Sequence, residues 1–411
     1  MYDQSFNQNS ILRVLRKSDF NDHPALRQEP IKDEMVLRSI ERARIGKWNV
    51  CPLSVNVLRK KPVYAFTNFY DELLIRKINN NIRQYCDFRH PARTSIISNV
   101  ANIVSEGVNY ILYRLDVKSF YESFDINDVL KKVTSIPQLS GPSKALVINL
   151  FEHFRAMGGT GIPRGLAVSA TLSELMMKDF DESIRKNKNI FFYSRYVDDI
   201  IIITNATEDP PNFIKNINLK LPNGLSLSRN KEFFKLVDKV KGDSASVLDF
   251  EYLGYKFSVI NPAQKNCFRD VILDIADSKV AKLKTRIIRA LIGYCQDLDF
   301  DLFERRLKFL AGNFSIMDSN LGKKKLAGIY YNYHLVNASS DNGLEKLDKF
   351  LKAAILSSNG AVFSNFQRRL TSNLHRQSLL KISFSAGFKN KTFLHFPPTS
   401  LEQIQKCWRY A

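Results

Sequence analysis

The chain has 411 residues, 44% of them apolar, which is enough for two or three compact lobes with cores of their own. Its 61 Lys and Arg residues outnumber 41 Asp and Glu residues, and the net charge of +20 favours a polyanionic partner, either nucleic acid or an anionic membrane surface. Membrane insertion is disfavoured, because no apolar run approaches the ~20 residues of a spanning helix and residues 1–4 lack the features of a signal peptide.

The distribution of charge and cysteine along the chain indicates where a nucleic acid would bind and what role the thiols have. Residues 278–411 carry +13 of the net charge, so the C-terminal third is expected to be the part that grips a nucleic-acid duplex. The five cysteines stand far apart without a C-x-x-C pair. This favours free structural thiols in a reducing cytoplasm over a zinc site or a disulfide framework.

In the first half of the chain, the sequence predicts several helices and one strand. Residues 1–50 are polar and charged and predict an N-terminal extension. Apolar residues spaced by three and four predict a helix over 66–86. A strand is predicted over 109–117, with Asp116 near its end, followed by helices over 126–133 and 143–157. The glycine-rich loop 158–165 opens into a predicted helix over 169–186.

The segment 191–203 is the most informative of the chain. Two β-branched and aromatic runs flank Asp198 and Asp199, which predicts a strand, a tight turn and a strand. Adjacent aspartates can be ordinary solvated turn residues. Burying them at the tip of an apolar hairpin is costly unless a cation compensates, and Asp116 supplies a third carboxylate. The pattern indicates an all-oxygen site for divalent cations bound to phosphates.

The remaining elements are predominantly helical. A helix is predicted before residues 218–222, an extended piece at 224–227 and one strand over 249–260. Helices are then predicted at 280–294, 302–310, 324–334, 344–356 and 363–380. In the first of these, basic residues recur at helical spacing beside an apolar stripe, so that one face can pack while the other lines phosphates. These residues are Lys279, Lys282, Arg286 and Arg289.

Five motifs occur in the order and spacing of one enzyme family: Leu115–Tyr121, Gly161–Ser169, Tyr196–Asp199, Gly224–Lys231 and Tyr252–Tyr255. By these motifs the chain resembles the reverse transcriptases over residues 50–260. The resemblance implies an α+β right-hand polymerase fold, with the Asp triad on an antiparallel palm sheet. It divides the chain into an N-terminal extension (1–50), fingers and palm (51–260), and a helical thumb with a C-terminal extension (261–411).

The resemblance also implies roles for individual residues. Asp116, Asp198 and Asp199 would bind two Mg²⁺ ions, for which Mn²⁺ is a substitute, with the Val117 carbonyl as a further ligand. The ions would activate a 3′-hydroxyl and stabilise the pyrophosphate leaving group. Lys231 matches the lysine near the pyrophosphate, where it would neutralise charge or donate a proton.

The incoming nucleotide is expected to meet four other side chains. Tyr121 falls at the steric gate, where its ring would crowd a ribose 2′-hydroxyl and favour deoxynucleotides. Arg93, and after it Arg89, match basic residues that meet the triphosphate in retron-like enzymes. Arg164 stands where many members have glutamine. Its planar cation could still contact the nucleotide or the template-primer, although it is not a conservative substitute for an amide.

The chain resembles one branch of the family more than the others. The arginine-containing Gly161–Ser169 motif, the helical C-terminal extension and the lack of a recognisable ribonuclease H segment resemble the bacterial phage-defence reverse transcriptases, of retron-like and unknown groups. Tyr2–Phe6 and Cys407–Arg409 resemble the a-type subunit of type 3 defence-associated systems. The implied partners are an RNA template, expected to be a structured non-coding RNA, a DNA product, and a second protein subunit or a second copy of the chain, but no membrane.

Other functions remain open at this stage. A template-independent or protein-primed DNA polymerase could prime from a tyrosine such as Tyr2 or Tyr410. Tyr121 and Val197 speak against an RNA-dependent RNA polymerase. A non-catalytic RNA-binding scaffold would keep the palm fold, and a splicing maturase would add a basic DNA-binding or endonuclease segment.

Overall fold

The computed structural model describes residues 2–48, 51–58, 61–85, 91–265, 267–318, 323–337 and 342–408. Short 3₁₀ turns lie at Pro24–Arg27 and Arg229–Lys231. The α-helices, in chain order, are α1 (Gln8–Leu12), α2 (Asp19–Asp22), α3 (Glu29–Ile45), α4 (Phe69–Arg83), α5 (Arg93–Val104), α6 (Ile126–Thr134), α7 (Gly141–Ala156), α8 (Ser169–Arg185), α9 (Pro210–Leu219), α10 (Asp277–Asp297), α11 (Phe300–Ala311), α12 (Ile329–Tyr333), α13 (Gly343–Leu356), α14 (Ala361–Arg369), α15 (Asn373–Leu380), α16 (Phe384–Lys389) and α17 (Pro398–Lys406).

The strands pair in antiparallel sheets. In chain order they are β1 (Leu53–Leu58), β2 (Lys61–Phe66), β3 (Tyr110–Asp116), β4 (Ile190–Tyr196), β5 (Asp199–Thr204), β6 (Phe233–Val237), β7 (Ser246–Tyr252), β8 (Tyr255–Ile260), β9 (Asp270–Ile275), β10 (Asn313–Asp318) and β11 (Lys323–Gly328). The sheets are the hairpins β1-β2 and β10-β11, the four-stranded β4-β5-β3-β6 and the three-stranded β7-β8-β9. This mixture of helices with antiparallel sheets confirms the predicted α+β fold class.

The chain divides into two compact units. The first unit comprises residues 1–92 and 109–238, and the second comprises residues 93–108 and 239–411. The predicted three-part division at residues 50 and 260 stays a prediction. Within the described part of the chain, no helix combines the length and the apolar character that crossing a bilayer requires.

The four-stranded sheet organises the first unit. Its central strands β3 and β5 are almost entirely buried, and Ile200 to Ile203 are fully inaccessible. Strands buried on both faces read as continuous apolar runs, as the sequence predicted for this segment. The β3-β5 register runs from Ile111 opposite Thr204 to Asp116 opposite Asp199. The same register that builds the core therefore brings the two carboxylates to adjoining strand ends.

Helix α8 packs against this sheet as part of the same core. It begins where the glycine-rich loop ends, and the apolar residues that predicted it are buried. They are Leu172, Leu175, Met176 and Phe180. Polar residues of the same helix, Glu174 and Asp181, lie close to β4 and make contacts described below.

The N-terminal residues are more ordered than a polar extension suggests. Helices α1 and α3 pack on α4 through a small core of Ile11, Val14, Val36, Ile40 and Leu73. Because every member of this cluster is buried, residues 8–45 form part of the first unit.

The second unit combines the three-stranded sheet with helices. Helix α10 packs against α11, α13 and α14. The rings of Tyr294, Phe303 and Phe366 meet there, with centroids 5.1–5.8 Å apart. The described cysteines, Cys51, Cys267, Cys295 and Cys407, are free thiols.

Several predicted elements were wrong in their extent. The strand predicted over 249–260 is two strands, β7 and β8, because Leu253 and Gly254 have positive φ angles of 45° and 83° and reverse the chain. The helix predicted over 324–334 is strand β11 as far as Gly328 and helix α12 only from Ile329 to Tyr333, since pairing with β10 overrides the local helical pattern in its first half. The helix predicted over 363–380 ends at Arg369 and resumes at Asn373.

Candidate active site

Three predicted carboxylates lie at adjoining strand ends of the first unit. Asp116 ends β3 and stands directly opposite Asp199, the first residue of β5. Directly opposed residues project to the same face of a sheet, with Cβ atoms about 4.5–5.5 Å apart. Asp198 precedes Asp199 in the turn between β4 and β5. The fold therefore brings together carboxylates that lie far apart in the sequence.

The turn that carries Asp198 is strained. Tyr196 pairs with Asp199, which leaves Val197 and Asp198 as a two-residue hairpin turn, here called the carboxylate turn. Val197 has a φ of 60°, in the left-handed region where β-branched residues are rare. Such a conformation costs about 1–3 kcal/mol and persists only where the surroundings enforce it. One enforcing contact is the Val117 amide, which donates to the Asp198 carbonyl at 3.0 Å.

The carboxylates disfavour one another's ionised form. Burial, and then the charges of Asp198 and Asp116, raise the pKa of Asp199 to about 6. Burial also raises the pKa of Asp198, with a smaller contribution from Asp116. Perturbed, mutually repelling acids are typical of functional sites. A cation brought among them would relieve the repulsion.

Lys231 pairs with one carboxylate of the triad, while its predicted place near a pyrophosphate stays a prediction. Its Nζ is 2.8 Å from Asp116 Oδ2, and the side chain is still 58% exposed. The hydrogen bond with Asp116 raises the pKa of Lys231. The Ser228 amide donates to the Asp116 carbonyl at 2.8 Å and anchors the short 3₁₀ turn that carries the lysine. Asp116 therefore meets this segment through both its side chain and its backbone.

The donor set fits a hard divalent cation by its chemistry. Carboxylate oxygens are the ligands that Mg²⁺ prefers. The Val117 carbonyl is not used by the bridge between Val117 and Leu227, whose hydrogen bonds go to the carbonyls of Asp116 and Ser226. Within the described residues, however, no three acidic, His or Cys side chains are grouped closely enough to hold an ion as they stand. Binding by the predicted triad, in which Lys231 now engages Asp116, stays a prediction.

Tyr121 is held by the glycine-rich loop. Its carbonyl accepts a hydrogen bond from the Ile162 amide at 2.7 Å. A Cβ on Gly161 would overlap that carbonyl, and Gly161 has a φ of 71°, so only glycine fits this close approach. Burial raises the pKa of the Tyr121 hydroxyl, which hydrogen-bonds with Ser173. The sequence indicated the aromatic residue but not its support by the loop.

Arg164 contacts both the predicted gate residue, Tyr121, and the next residue in the chain, Glu122. Its guanidinium is bidentate to Glu122, with Nε–Oε1 and Nη2–Oε2 distances of 3.0 and 3.3 Å. It also lies over the Tyr121 ring, 5.0 Å from the ring centroid. A planar guanidinium suits both contacts, because it matches a carboxylate and stacks on an aromatic face. The predicted contact of Arg164 with a nucleotide or template-primer stays a prediction.

Two basic residues near the triad were missed by the sequence reasoning. Lys61 begins β2, and its charge acts to lower the pKa of Asp198 against the larger effect of burial. Arg195 of β4 donates to the Val197 carbonyl. A single charged residue inside an apolar strand is a signal for a buried partner, and it could have identified Arg195. A lysine in an exposed hairpin carries no comparable signal.

Arg93 belongs to the second unit, at the first residue of α5. Its Nε donates to the Leu253 carbonyl at 2.8 Å. Leu253 and Gly254 form a two-residue hairpin turn, here called the glycine turn. The guanidinium also lies 5.0 and 5.7 Å from the ring centroids of Tyr255 and Tyr333. These contacts fasten the glycine turn, while the predicted contact with a triphosphate stays a prediction.

The basic residues of α10 differ in exposure. Lys279 and Lys282 are exposed, whereas Arg286 and Arg289 are half-buried. Arg286 lies 5.6 Å from the Trp408 ring, and its carbonyl accepts a hydrogen bond from the indole N–H at 3.0 Å. The exposed cations of this predicted nucleic-acid face are therefore at its N-terminal half. Phosphate binding by the four residues stays a prediction.

Three residues of the sequence-based predictions, Arg89, Arg409 and Tyr410, lie outside the described residues. Tyr2, the other candidate priming residue, lies against α4. Its hydroxyl accepts a hydrogen bond from Lys77 Nζ at 3.3 Å, and the ammonium lies 4.6 Å from the ring centroid. Burial raises the pKa of Tyr2. The Tyr2 hydroxyl is thus already engaged within the first unit.

This geometry agrees with a family match. Residues 63–257 match the family model described as "Reverse transcriptase (RNA-dependent DNA polymerase)". The match spans the four-stranded sheet with its three carboxylates and extends past the glycine turn. The chain therefore carries a nucleotidyltransferase domain of the polymerase class. More specifically, the domain is that of a reverse transcriptase, an RNA-directed DNA polymerase.

Among solved structures, the chain is similar to telomerases. Telomerase from Candida albicans with a TWJ fragment of telomeric RNA is 11% identical over 91% of this chain and 65% of that chain, with a TM-score of 0.33. Apo telomerase from Candida tropicalis is 12% identical over 92% of this chain and 69% of that chain, with a TM-score of 0.37. The chain thus spans less than two thirds of the first of these proteins. No curated protein sequence matches the chain. Similarity at these TM-scores supports no further inference.

Proposed function

We propose that this chain is an RNA-directed DNA polymerase that adds deoxynucleotides to a 3′-end on an RNA template. The observation that carries the proposal is the convergence of Asp116, Asp198 and Asp199 at the joined ends of β3 and β5, within a reverse transcriptase domain. Phosphoryl transfer requires little from a protein beyond positioning and charge neutralisation. Three carboxylates beside a lysine suit that requirement.

Reverse transcriptase domains use divalent metal ions. The proposed ions are two Mg²⁺, for which Mn²⁺ can substitute. Asp116 and Asp199 would hold them, and Asp198 and the Val117 carbonyl would complete the ligand set. When bound, the ions supply activation of the attacking 3′-hydroxyl and stabilisation of the pyrophosphate. Their charge would also replace the compensation that Lys231 now provides to Asp116.

Lys231 is proposed to serve the leaving group. Its ammonium is paired with Asp116 but largely exposed, so it can turn from that carboxylate towards a pyrophosphate. An ammonium in that place neutralises developing charge or donates a proton. Because its pKa is raised, the group carries its proton at neutral pH.

Tyr121 is proposed to select the sugar of the incoming nucleotide. A ring can exclude a 2′-hydroxyl only if it is held in one place, since a mobile ring would yield to the extra atom. The Gly161 contact holds the backbone of Tyr121, and the Arg164 guanidinium covers one face of its ring. Both contacts support discrimination in favour of deoxynucleotides.

The template-primer is proposed to lie along the exposed cations of the second unit. Lys279 and Lys282 are on one exposed face of α10. The C-terminal third of the chain carries most of the net positive charge. Backbone phosphates bound by such lysines contribute affinity that does not depend on sequence.

The proposed setting is antiphage defence in the bacterial cytoplasm, with a dedicated structured non-coding RNA and a second protein subunit or a second copy of the chain. This part of the proposal is supported by the resemblance of the Gly161–Ser169 motif, with its Arg164, to the phage-defence branch. The far-spaced free thiols favour a reducing compartment.

The test is DNA synthesis by the purified protein on the RNA that co-purifies with it. With Mg²⁺ and labelled deoxynucleotides, the wild type should make a product that DNase removes and RNase does not. The variant Asp198→Asn/Asp199→Asn should make none. Sequencing the bound RNA and the product would identify the template.

Other outcomes of the same test would favour the alternatives. A protein–DNA adduct that survives denaturant and RNase would favour protein priming. Synthesis from ribonucleotides only would favour an RNA polymerase. Full biological activity of the double variant would favour a non-catalytic scaffold, and no product after RNA co-purification would contradict the proposal.

A further inference from the structure

A buried charged network lies next to the carboxylate turn. Arg195 of β4 is only 4% exposed, and its guanidinium binds two carboxylates of α8. Nη1 and Nη2 lie 3.0 and 2.5 Å from the Glu174 oxygens. Nε and Nη2 lie 2.9 and 2.8 Å from the Asp181 oxygens. Asp181 also accepts a hydrogen bond from the Tyr193 hydroxyl at 2.5 Å.

The same guanidinium reaches the backbone of the carboxylate turn. Nη1 of Arg195 donates to the Val197 carbonyl at 2.9 Å. Val197 is the residue held in the left-handed region, and it immediately precedes Asp198. Arg195 therefore connects helix α8 to the strained residue of the turn.

Stability alone does not explain this network, because burying charged groups costs free energy. Desolvation of a buried ion group can exceed the attraction within it, and apolar replacements of similar volume are often neutral or stabilising. Burial acts to lower the pKa of Arg195, but the hydrogen bonds with Asp181 and Glu174 outweigh it and raise that pKa. The arginine therefore stays charged, with its donors shared between α8 and the turn.

The shape of the guanidinium matters for this connection. Its planar fork presents donors in fixed directions, so one side chain can bind two carboxylates and a carbonyl at once. A lysine keeps the charge, but its single ammonium cannot reproduce these directions. Replacement of Arg195 by lysine should consequently loosen the hold on Val197 without removing the buried cation.

We propose that Arg195 is a positioning residue, which holds the Val197 carbonyl against α8 and thereby sets the geometry in which Asp198 and Asp199 meet divalent cations. The inference rests on the proposed function for its effect on catalysis, whereas its effect on cation binding is independent of any substrate. Arg195 acts through the backbone of the turn. Glu174 and Asp181 act through Arg195.

The experiment compares Arg195→Lys with a matched control, Arg76→Lys. Arg76 is also a nearly buried arginine of the first unit, 10% exposed, and it pairs with Asp19 and Glu72 at 2.8 and 2.9 Å. These two ion pairs involve no residue of the carboxylate turn, and the one with Asp19 fastens α4 to the N-terminal helices. Both variants should lose some thermal stability, because each gives up a nearly buried arginine that binds two carboxylates.

Only Arg195→Lys should change the site. Its kcat for primer extension should fall about 10- to 100-fold, the scale expected for reacting groups displaced by about 1 Å, while KM for the deoxynucleotide changes little. Its affinity for Mn²⁺ without nucleotide, measured by electron paramagnetic resonance, should weaken about fivefold or more. Arg76→Lys should keep kcat and Mn²⁺ affinity within about twofold of the wild type.

A second substitution tests the reason for the loss. Glycine adopts the left-handed conformation without strain, so Val197→Gly removes part of the need for the hold. In the Arg195→Lys background, Val197→Gly should recover about threefold or more of the lost kcat. An additive or larger loss in the double variant would overturn a role in holding that backbone.

The outcomes separate this inference from the proposed function. If the wild type extends primers, and Arg195→Lys loses activity and Mn²⁺ affinity no more than Arg76→Lys, the positioning role is wrong. If the wild type makes no product on any template, yet Arg195→Lys alone weakens Mn²⁺ binding, the positioning role stands and the proposed polymerase function fails.

Discussion

Two hairpin turns of this protein use the same backbone device. In the carboxylate turn of the first unit, Val197 has a φ of 60° and its carbonyl accepts from Arg195 at 2.9 Å. In the glycine turn of the second unit, Leu253 has a φ of 45° and its carbonyl accepts from Arg93 at 2.8 Å. In each, an arginine binds the carbonyl of a left-handed residue that is not glycine.

The surroundings of the two arginines differ in charge. Arg195 is matched by two buried carboxylates, so it adds no net positive charge next to the Asp triad. Among the described residues, no carboxylate pairs with Arg93, whose guanidinium lies over the rings of Tyr255 and Tyr333. The Lys279 side chain also approaches the glycine turn. The comparison teaches that one backbone device can occur both beside the anionic site proposed for cations and beside the cationic surface proposed for phosphates.

The largest expected effect is on activity, and it should distinguish a carboxylate of the triad from a carboxylate near the glycine turn. Asp198→Asn removes one charge of the triad and should lower kcat/KM for primer extension by about 10³-fold or more, because charge neutralisation dominates this chemistry. Glu251→Gln, one residue before the strand end at the glycine turn, is the matched control and should stay within about threefold of the wild type. Equal losses in the two variants would remove the distinction between the turns.

The next effect concerns the arginine of the glycine turn. Arg93→Met removes charge-assisted hydrogen bonds to the carbonyls of Leu253 and Asn332. It should lower the free energy of unfolding by about 2–3 kcal/mol in urea titrations. Mn²⁺ affinity of the metal-free protein should be unchanged, and a weakened affinity would contradict the separate roles of Arg93 and Arg195.

The pH dependence of stability should show the cost of ionising Asp199, which is partly buried beside two other carboxylates. The pKa of Asp199 is about 6 in the folded protein against 3.8 for an ordinary aspartate, so the folded state binds more protons between these values. Stability therefore falls as the pH rises from about 4 to 6, and the penalty is fully present above pH 6. Metal-free Asp199→Asn should be more stable than the wild type by about 1–3 kcal/mol at pH 7.5.

The same measurement at low pH provides the control. Near pH 4 the wild-type carboxyl is protonated and resembles the amide, so the difference in melting temperature between Asp199→Asn and the wild type should nearly vanish. A difference that stays constant with pH would mean that it does not arise from this ionisation.

Exchanging glycine and a larger residue at the left-handed positions should change the free energy of unfolding by a smaller amount, with opposite signs in the two turns. Gly254→Ala adds a Cβ at a φ of 83°, 3.1 Å from the Arg93 guanidinium, and should cost about 1–2 kcal/mol. Val197→Gly relieves the left-handed valine and should raise stability slightly, by about 0.5 kcal/mol, since the lost side-chain contacts offset part of the gain. Thermal unfolding of both variants measures the signs.

The smallest effect is a change in salt dependence near the glycine turn. Lys279→Ala/Lys282→Ala should reduce the slope of log affinity for a primer–template against log salt by about 1–2. Lys346→Ala/Lys349→Ala, on α13 of the same unit, removes equal charge elsewhere. If both pairs change the slope equally, the charge of the second unit acts as a whole and α10 has no special role.

Much of the first unit could be predicted because its signals are local. Strand β3, helices α6 and α8 and the β4–β5 hairpin have apolar periodicities that match their burial. The second unit was less predictable. The residues Lys323 to Gly328 form a strand because they pair with β10. The residues Asp270 to Ile275 form a strand because they pair with β8. Pairing between strands leaves a weaker trace in the sequence than a helical stripe.

The sequence by itself determined the identity of the three carboxylates, their order and the class of chemistry that they indicate. It could do so because an acid at the end of a buried apolar strand is unusual enough to demand an explanation. Tyr121 and Lys231 were indicated only by the resemblance of the chain's motifs to the reverse transcriptases.

Only the tertiary structure decided what contacts the glycine turn and the predicted gate. Arg93 is 160 positions from the carbonyl that it binds, and Arg164 is 42 positions from Glu122. Such bonds depend on how elements pack and leave no local pattern. The carboxylates could be recognised from their neighbours in the chain, whereas the bonds from the arginines to the carbonyls of the two turns could be recognised only from neighbours in space.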